Sequence, residues 1–436
     1  MKVTSEVIVL GAGMAGLGAG HFLSSQGISA AIYDRNPYYG GHAASSNING
    51  FVFDEGPHIS FTANKKLQKL FSESVNTRFE ILQARVNNYW QGYWFKHPAQ
   101  CNLYGLPHEL VVEIIDDFIK AQNSKSSEIK NYKEWLYANF GKAFAENFPM
   151  KYGLKYHTTS AENMSIDWIG PRLYRPDVKE VLRGALTRYT PEVHYVDNFR
   201  YPTSGGFVSF LKIFTGEGNF QGDHELINLD PHTKIIEFAN GKQIPYDKII
   251  SSIPLPELVR RITGVPPHVI KASEDLACTS CIVVTIGINR QDISEAHWSY
   301  FYDDDFCFSR LSFPHMQSPN NVPSGTGSIQ AEIYFSKKYK PVDRSADDCI
   351  EPVLRDLKRC GLVKESDKIV FTHAKIIQYA NIIFDLDRTT ALEVVHDYLD
   401  EIGVSYCGRY GEWGYHWTDQ SFVSGEKAAQ KIVEQF

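Results

Sequence analysis

The chain has 436 residues, enough for about two or three domains with substantial cores, which excludes a peptide or a minimal binding module. Hydrophobic residues make up 43% and charged residues 22%, so the chain is neither disordered nor collagen-like. The formal net charge of -7 gives no general attraction to nucleic acid or to anionic lipid. An anionic ligand therefore needs local cations.

Cysteine usage and apolar stretches indicate the compartment. The seven cysteines are scattered, unlike the dense, even framework of a small secreted domain, so we expect reduced thiols. Cys278 and Cys281 form a C-x-x-C pair without a second pair at zinc spacing, and no metal site is predicted. The start of the chain does not resemble a signal peptide, and no run of about 18 apolar residues occurs. We expect a cytoplasmic protein with no membrane span and no nucleic-acid partner.

The N-terminal part has the pattern of a βαβ unit. The apolar run 6–10 predicts a buried parallel strand that Gly11 ends. Apolar residues at helical spacing predict a helix over 15–25, and 29–33 predicts a second strand that ends at Asp34. A strand, a helix and a strand within about thirty residues have the length of one βαβ unit.

The motif G-x-G-x-x-G lies between this strand and this helix. Gly11 permits a tight turn, Gly13 lets backbone N–H groups approach a pyrophosphate, and Gly16 lets the helix pack close to the strand. The helix N-terminus around Ala15 then offers positive potential. Asp34 follows where an acid accepts a hydrogen bond from a ribose hydroxyl, and its carboxylate disfavours a 2′-phosphate. The motif therefore predicts a dinucleotide other than NADP.

The rest of the chain alternates between helical and strand-like patterns. Residues 64–195 are mostly helical in pattern, with amphipathic stretches at 109–122 and 132–139 and a polar break at 123–127. A mixed sheet is expected after them. The predicted later elements are strands at 234–238, 247–252, 282–288, 328–335 and 368–377, and a short amphipathic helix at 425–433.

A Gly-Gly pair after Asp34 indicates which dinucleotide is bound. Gly40 and Gly41 follow this acid and Arg35, and they precede His42. Here the chain resembles flavoproteins of the amine oxidase and protoporphyrinogen oxidase group, in which such a pair makes a second backbone approach to the FAD pyrophosphate. The resemblance implies FAD as the cofactor. It would be held by Gly11, Gly13, Ala15, Gly16, Asp34, Arg35, Gly40, Gly41 and His42.

The stretch 56–62 narrows the resemblance to the UDP-galactopyranose mutase family. Its sequence, Gly-Pro-His-Ile-Ser-Phe-Thr, is similar to the mutase pattern Gly-Pro-His-Ile-Phe-His-Thr, whose histidines lie by the isoalloxazine ring. The resemblance places Pro57 and His58 beside the flavin, while a structural histidine is the alternative for His58. Phe61 replaces the second mutase histidine, so different substrate contacts are expected there.

Three arginines lie in contexts similar to mutase segments. A nucleotide sugar on an acidic chain needs placed arginines, because a guanidinium binds diphosphate oxygens in bidentate fashion. Arg172 and Arg310 resemble substrate arginines, with a structural ion pair as the alternative for each. Gly408 and Arg409 resemble a Gly-Arg motif near the flavin and the substrate phosphates. The predicted catalytic residues are His58, Arg172, Arg310 and Arg409.

The end of the chain completes the resemblance. In this flavoprotein group a stretch like 419–425 returns the chain to the cofactor, which implies that Asp419 and Ser421 contact FAD. The implied fold is α/β, with a Rossmann-type FAD-binding domain, a mixed-sheet substrate domain and a helical insertion. The predicted domains are 1–62 with 203–262 and 395–436 for FAD binding, 63–202 for the mostly helical segment, and 263–394 for the mixed sheet.

Two functions fit these motifs. In the first, which resembles the mutases, N5 of reduced FAD attacks the anomeric carbon of a nucleoside diphosphate sugar, the diphosphate leaves, and the ring recloses as pyranose or furanose. A reductant such as NAD(P)H must reduce the flavin beforehand. In the second, which resembles amine or protoporphyrinogen oxidases, oxidised flavin takes a hydride from a C–H bond, and an aromatic pocket without diphosphate arginines is expected. We favour the first, and a homodimer is one arrangement that the sequence leaves open.

Overall fold

A computed structural model of the chain describes residues 7–123, 128–193, 196–216 and 219–435. The first residue of the predicted strand at 6–10 and most of the predicted break at 123–127 lie outside these ranges. In the described residues the strands are β1 (Val7–Leu10), β2 (Ala30–Tyr33), β3 (Ser45–Ile48), β4 (Phe51–Asp54), β5 (Phe79–Gln83), β6 (Val86–Trp90), β7 (Tyr93–Lys96), β8 (Asn198–Pro202), β9 (Phe220–Gln221), β10 (Leu226–Asp230), β11 (Ile235–Phe238), β12 (Gln243–Pro245), β13 (Lys248–Ser251), β14 (Thr279–Ile288), β15 (Trp298–Phe301), β16 (Arg310–Ser312), β17 (Gly327–Ser336), β18 (Ile369–Ile377) and β19 (Val404–Tyr406).

The helices are distributed along the same ranges. None of them has both the length and the apolar sequence needed to cross a bilayer. In the described residues they are α1 (Met14–Ser25), α2 (Lys65–Ser74), α3 (His108–Asn123), α4 (Tyr132–Phe140), α5 (Lys142–Asn147), α6 (Pro149–His157), α7 (Val178–Leu186), α8 (Leu255–Val259), α9 (Pro267–Asp275), α10 (Pro314–Gln317), α11 (Ile350–Arg359), α12 (Arg388–Glu401), α13 (Gly408–Gly411) and α14 (Thr418–Val433).

The N-terminal βαβ unit lies at the centre of a five-stranded parallel sheet. The strand order is β19-β13-β1-β2-β9. All of β1 is buried, as expected for a continuous apolar run in a parallel sheet. Helix α1 follows β1 directly and packs against α14. This is the predicted Rossmann-type arrangement, and it places the glycine motif at the carboxyl end of β1.

A second, seven-stranded sheet contributes residues to a large cavity. Its order is β18-β14-β17-β16-β15-β6-β7, and its pairs are antiparallel except β15 with β6. Strand β17 is buried along its full length. The register places Arg310 of β16 opposite Glu332 of β17. This mixed sheet confirms the predicted fold class.

The segment 63–202 is less helical than the sequence predicts. It holds α2 to α7, but it also holds β5 to β8, and β6 and β7 extend the seven-stranded sheet. The sequence pattern does not predict β6, because the polar residue Asn88 interrupts its apolar residues. Asn88 is nevertheless fully buried. Its amide donates to Lys96 O at 3.0 Å, and its carbonyl oxygen accepts from Tyr302 at 3.1 Å. The proposed domain boundaries stay a prediction.

The C-terminal helix also differs from its prediction. It begins at Thr418 rather than at 425, because Gln420 caps its start by accepting a hydrogen bond from Trp417 N at 2.9 Å. Asp419 and Ser421 therefore lie in the first turn of α14 and not ahead of it. The predicted strands at 234–238, 247–252, 282–288, 328–335 and 368–377 correspond to β11, β13, β14, β17 and β18.

Candidate functional site

A cavity of about 1090 Å³ lies between the Rossmann-type sheet, the seven-stranded sheet and the helical segment. Its volume lies just above the range of about 300–1,000 Å³ that is usual for small-molecule and cofactor sites. The structure thus brings together residues from distant parts of the chain. The predicted site residues that line it are Gly11, Gly13, Ala15, Asp34, Arg35, Gly40, Gly41, His42, Pro57, His58, Arg172, Arg310, Gly408, Arg409 and Ser421.

Two predicted cofactor residues do not line the cavity. A Cβ atom on Gly16 would lie 1.8 Å from Gly11 O, so glycine is needed for α1 to pack on the turn. Asp419 accepts a hydrogen bond from Gln420 N at 2.9 Å within the first turn of α14. Gly16 therefore takes part in helix packing, and Asp419 takes part in hydrogen bonding at the start of α14.

The dinucleotide end of the cavity is built from two glycine turns that touch. Gly40 N donates to Ala12 O at 2.8 Å, and Gly13 and Gly40 form a parallel bridge. Gly11 and Gly40 have φ angles of 95° and 111°, a region that other residues rarely adopt. The Gly-Gly pair therefore adds a second stretch of accessible backbone to the first glycine turn.

Helix α1 and Asp34 complete this end. Within the described part of the chain no side chain caps the N-terminus of α1, and its first turn holds no acidic residue, so its positive potential is available to a phosphate. The Asp34 carboxylate accepts from Ala12 N at 2.7 Å and from Asn36 N at 2.8 Å, which fixes its position at the cavity edge. This backbone cradle fits a pyrophosphate, and the oriented carboxylate fits a ribose hydroxyl.

His58 is half-buried and lines the same cavity as the glycine turns. Its Nδ1–H donates to Gly56 O at 3.0 Å. Burial lowers the pKa of His58 to about 4, opposed by the hydrogen bond to Gly56 and assisted by the neighbouring charges of His42 and Arg409. His58 is therefore neutral near pH 7, with its tautomer fixed by the Gly56 carbonyl, and it can orient a ligand without adding charge.

Arg172 and Arg409 both lie close to the ring of Tyr415. Their guanidinium carbons are 4.5 Å and 5.2 Å from the centre of its ring. Arg409 donates to His416 O at 2.9 Å and to Asn381 Oδ1 at 3.3 Å. Among the described residues no carboxylate forms an ion pair with Arg409, so its positive charge is available to an anion in the cavity.

Arg310 carries its charge differently. Its Nε and Nη2 donate to the two carboxylate oxygens of Glu332 at 2.8 Å and 2.9 Å. Tyr334 also donates to Glu332, at 2.6 Å. Burial opposes the charge of Arg310, but Glu332 raises the pKa of this guanidinium well above its usual value. Arg310 therefore faces the cavity as half of a neutralised ion pair.

A wall of tyrosines, which the sequence motifs did not predict, surrounds this ion pair. The hydroxyl groups of Tyr156 and Tyr415 lie 2.7 Å apart, and the rings of Tyr152 and Tyr156 stack at 5.3 Å. Burial raises the pKa of Tyr152, Tyr156 and Tyr334 well above the usual range, so they remain neutral donors. Their only signal in the sequence is the aromatic content, 13% of the chain. The tyrosines that line the cavity include Tyr152, Tyr156, Tyr300, Tyr302, Tyr334, Tyr379, Tyr410 and Tyr415.

The helical segment closes the far end of the cavity with mainly apolar rings. Phe140, Phe144, Phe148 and Trp168 line it. His157 packs against Trp168, with 5.2 Å between the ring centres, and burial lowers its pKa to about 3. This end suits an apolar or aromatic part of a ligand.

The fold and the cavity define a Rossmann-type dinucleotide enzyme. Residues 9–74 match the NAD(P)-binding Rossmann-like domain, and residues 173–433 match the flavin containing amine oxidoreductase family. Because the second match spans more than half of the chain, the chain belongs to the flavin containing amine oxidoreductase family. It is a flavoenzyme, and the cofactor that this family and the glycine cradle indicate is FAD.

The chain is similar in fold to one kind of solved structure and similar in part of its sequence to another kind of curated protein. A crystal structure of reduced UDP-Galactopyranose mutase shares the fold, with a TM-score of 0.92 and 24% identity over 99% of this chain and 96% of that chain. A 4,4'-diapophytoene desaturase (4,4'-diapolycopene-forming) of Methylomonas sp is 44% identical over 89 residues, 20% of this chain and 16% of that protein. A 1-hydroxycarotenoid 3,4-desaturase of Flavobacterium sp. (strain P99-3) is 28% identical over 134 residues, 29% of this chain and 26% of that protein. The chain thus spans less than two thirds of the length of these desaturases.

Proposed function

We propose that this flavoenzyme is a nucleotide-sugar mutase that interconverts the pyranose and furanose forms of a sugar attached to a nucleoside diphosphate. The observation that carries the proposal is Arg409, a cation without a described carboxylate partner, on the cavity wall beside Tyr415. On a chain of net charge -7, such a placed cation favours an anionic ligand. The whole-length likeness in fold to a mutase agrees with this proposal.

The cavity residues would have distinct roles in this reaction. When bound and reduced, the flavin supplies the nucleophile for the anomeric carbon. Arg409 and Arg172 would hold the departing diphosphate, and the neutral tyrosine hydroxyls would donate to its oxygens. Arg310, Glu332 and Tyr334, joined by hydrogen bonds, would form a fixed part of the cavity wall beside the sugar. The diphosphate returns to the carbon that it left, so no electrons are consumed and the product has the mass of the substrate.

The test begins with the absorption spectrum of the purified protein, which reports bound flavin. Dithionite-reduced protein is then incubated with UDP-galactopyranose and other nucleotide sugars, and the products are separated by liquid chromatography with mass detection. We expect an isomer of identical mass at altered retention with reduced protein and none with oxidised protein. Turnover that requires oxidised protein and an electron acceptor would reject the mutase proposal.

A second candidate function is a flavin-dependent oxidoreductase of a largely apolar substrate. The observation that favours it is the far end of the cavity, where Phe140, Phe144, Phe148 and Trp168 form the lining. The neutralised charge of Arg310 and the partial likeness to desaturases agree with it. Flavin bleaching on anaerobic mixing of oxidised protein with such a substrate would support this function.

A further inference from the structure

The outward side of helix α7 carries apolar and basic side chains together. A rotation of about 100° per residue places four exposed residues on the side of α7 that points away from buried Val181 and Gly184. Two more exposed residues follow the end of the helix. We call these six residues the α7 face: Lys179, Leu182, Arg183, Leu186, Arg188 and Tyr189. The α7 face therefore combines three apolar side chains with three cations.

The apolar side chains of the α7 face are accessible to a partner. Leu186 is 78% exposed and Tyr189 is 84% exposed, the two highest values among the large hydrophobic residues that the structure describes. Tyr104 extends this surface, because its N donates to Gly184 O at 2.7 Å and its ring lies 5.7 Å from the guanidinium carbon of Arg188. Neighbouring exposed apolar side chains of this kind are typical of a surface that binds another protein or a membrane.

The α7 face is positively charged, although the chain as a whole is acidic. Residues 172–190 contain five lysines or arginines and two acids, on a chain of net charge -7. Both acids are engaged at the start of α7, where Asp177 accepts from Glu180 N at 2.8 Å and Glu180 accepts from Asp177 N at 2.8 Å. Within the described ranges the three cations of the α7 face form no ion pair, so their charge is available to an anionic surface.

The position of the α7 face relative to the cavity follows from its flanking residues. Leu173 and Tyr174 precede it and Val193 follows it, and all three line the cavity. Helix α3 packs on α7 and exposes Glu109 and Glu113, which limits the positive surface on that side. A partner bound to the α7 face would therefore lie beside the cavity and leave its interior to the ligands.

We propose that the α7 face docks this protein on an anionic phospholipid bilayer. Its leucines and Tyr189 would enter the boundary between headgroups and acyl chains, and its cations would contact lipid phosphates. The exposed leucines favour a bilayer over nucleic acid, which binds mainly through its phosphates. A symmetric dimer through this face is disfavoured, because a two-fold axis would bring its cations close to those of the second copy. The proposal does not depend on which reaction the flavoenzyme catalyses.

Co-sedimentation with vesicles tests this docking. The FAD-loaded protein is mixed at low ionic strength with vesicles of phosphatidylglycerol and phosphatidylcholine in equal parts, or of phosphatidylcholine alone. We expect at least about tenfold tighter binding to the anionic vesicles, and most of this difference should disappear in about 1 M salt. Lys179→Gln/Arg183→Gln should weaken binding to the anionic vesicles about tenfold. Leu186→Ser/Tyr189→Ser should weaken it by a similar factor, because less apolar surface is buried.

Two control variants change similar side chains elsewhere on the surface. Lys69→Gln removes an exposed cation of α2, and Val370→Ser removes an exposed apolar side chain of β18. Both should bind the anionic vesicles as the wild type does. Flavin absorbance and urea denaturation check that every variant is folded, and if one double variant of the α7 face does not fold, the other still decides.

Several outcomes would overturn the proposal. They are a wild type that binds neither kind of vesicle or binds both equally, and variants of the α7 face that bind as the wild type does. An effect of Lys179→Gln/Arg183→Gln without an effect of Leu186→Ser/Tyr189→Ser would also overturn it, because it would indicate a charge-only site of the kind that nucleic acid occupies. A dimer in light scattering that Leu186→Ser/Tyr189→Ser dissociates would assign the α7 face to a second copy instead. None of these measurements uses turnover, so their failure is distinct from failure of the mutase proposal.

Discussion

Arg310 and Arg409 illustrate how neighbouring contacts decide what a residue can do. The two side chains line the same cavity, but Arg310 donates to both oxygens of Glu332, whereas Arg409 donates to carbonyl and amide oxygens. Arg409 can exchange those partners for phosphate oxygens without leaving a buried charge unpaired. Arg310 cannot, because the Glu332 carboxylate is nearly inaccessible to water. The sequence motifs presented both as substrate arginines.

Arg409→Ala should weaken the binding of a nucleoside diphosphate by about 2–5 kcal/mol, the usual effect of removing one partner of a buried charged contact. FAD should remain bound, because the backbone cradle that fits its pyrophosphate is formed by the glycine turns and the N-terminus of α1, and not by Arg409. Titration calorimetry with UDP on the FAD-loaded protein measures the effect. Arg344→Ala, which changes an exposed arginine paired with Asp343, is the control. An unchanged affinity would remove Arg409 from the site.

Arg310→Met should lower the free energy of unfolding by about 3–5 kcal/mol, because it leaves the buried Glu332 carboxylate without its cation. The double variant Arg310→Met/Glu332→Gln should recover most of this loss, since no buried charge then remains at this pair. Urea denaturation of both variants and the wild type tests the pair. A single variant as stable as the wild type would show that the ion pair contributes little.

The contact between helices α1 and α14 positions the first turns of both helices at the dinucleotide end of the cavity. A Cβ atom on Gly18 would lie 2.3 Å from Phe422 O, and one on Gly425 would lie 1.9 Å from Ala15 O. The two helices therefore approach each other through glycine. This approach brings the first turn of α14, with Ser421, to the same cavity as the first turn of α1.

Gly425→Ala should push these helices apart, destabilise the protein by about 1–3 kcal/mol, and weaken FAD binding. Gly153→Ala is the matched control, because Gly153 also lies inside a helix but its added Cβ would meet only Tyr132 Cε1, at an ordinary 3.9 Å. This control should be neutral or stabilising by up to about 1 kcal/mol, given the higher helix propensity of alanine. Urea denaturation compares the two variants. Equal stabilities would contradict the close packing.

Buried histidines make the stability of the folded molecule depend on pH. Burial lowers the pKa of His58, His157 and His297 to about 4, 3 and 4. In the unfolded chain these histidines titrate near pH 6.5, so between about pH 6.5 and 4 the unfolded state binds more protons than the folded state. Asp54 has the opposite effect on stability. Burial raises its pKa to about 6, so on acidification the folded state binds a proton at Asp54 before the unfolded state does.

The free energy of unfolding should therefore fall as the pH decreases from about 6.5 to 4. Each histidine contributes about 1.4 kcal/mol per pH unit in this window, and Asp54 offsets about one of the three. Urea denaturation at several pH values measures the slope, and His157→Phe should reduce it by about one histidine's share. A stability that stays constant or rises on acidification would contradict the role of these buried histidines.

The Rossmann-type half of the molecule and its glycine cradle could be predicted from the amino-acid sequence. Gly11, Gly13 and Asp34 lie within one βαβ unit, and the glycine cradle is formed by the backbone of neighbouring residues, so a local motif contains most of the information. The same holds for the fold class, because buried parallel strands and amphipathic helices have distinct periodicities. Strand β6 could not be predicted in this way, because buried Asn88 interrupts its apolar pattern.

The chemistry of the other half depends on contacts that form only when the chain folds. Tyr156 meets Tyr415 across 259 positions, and Glu55 meets Lys375 across 320. Glu332 neutralises Arg310 because the register of two strands places them side by side. Such partners are set by strand register, helix packing and burial, which depend on the whole chain at once. No local pattern can therefore say which arginine is neutralised and which remains available to a ligand.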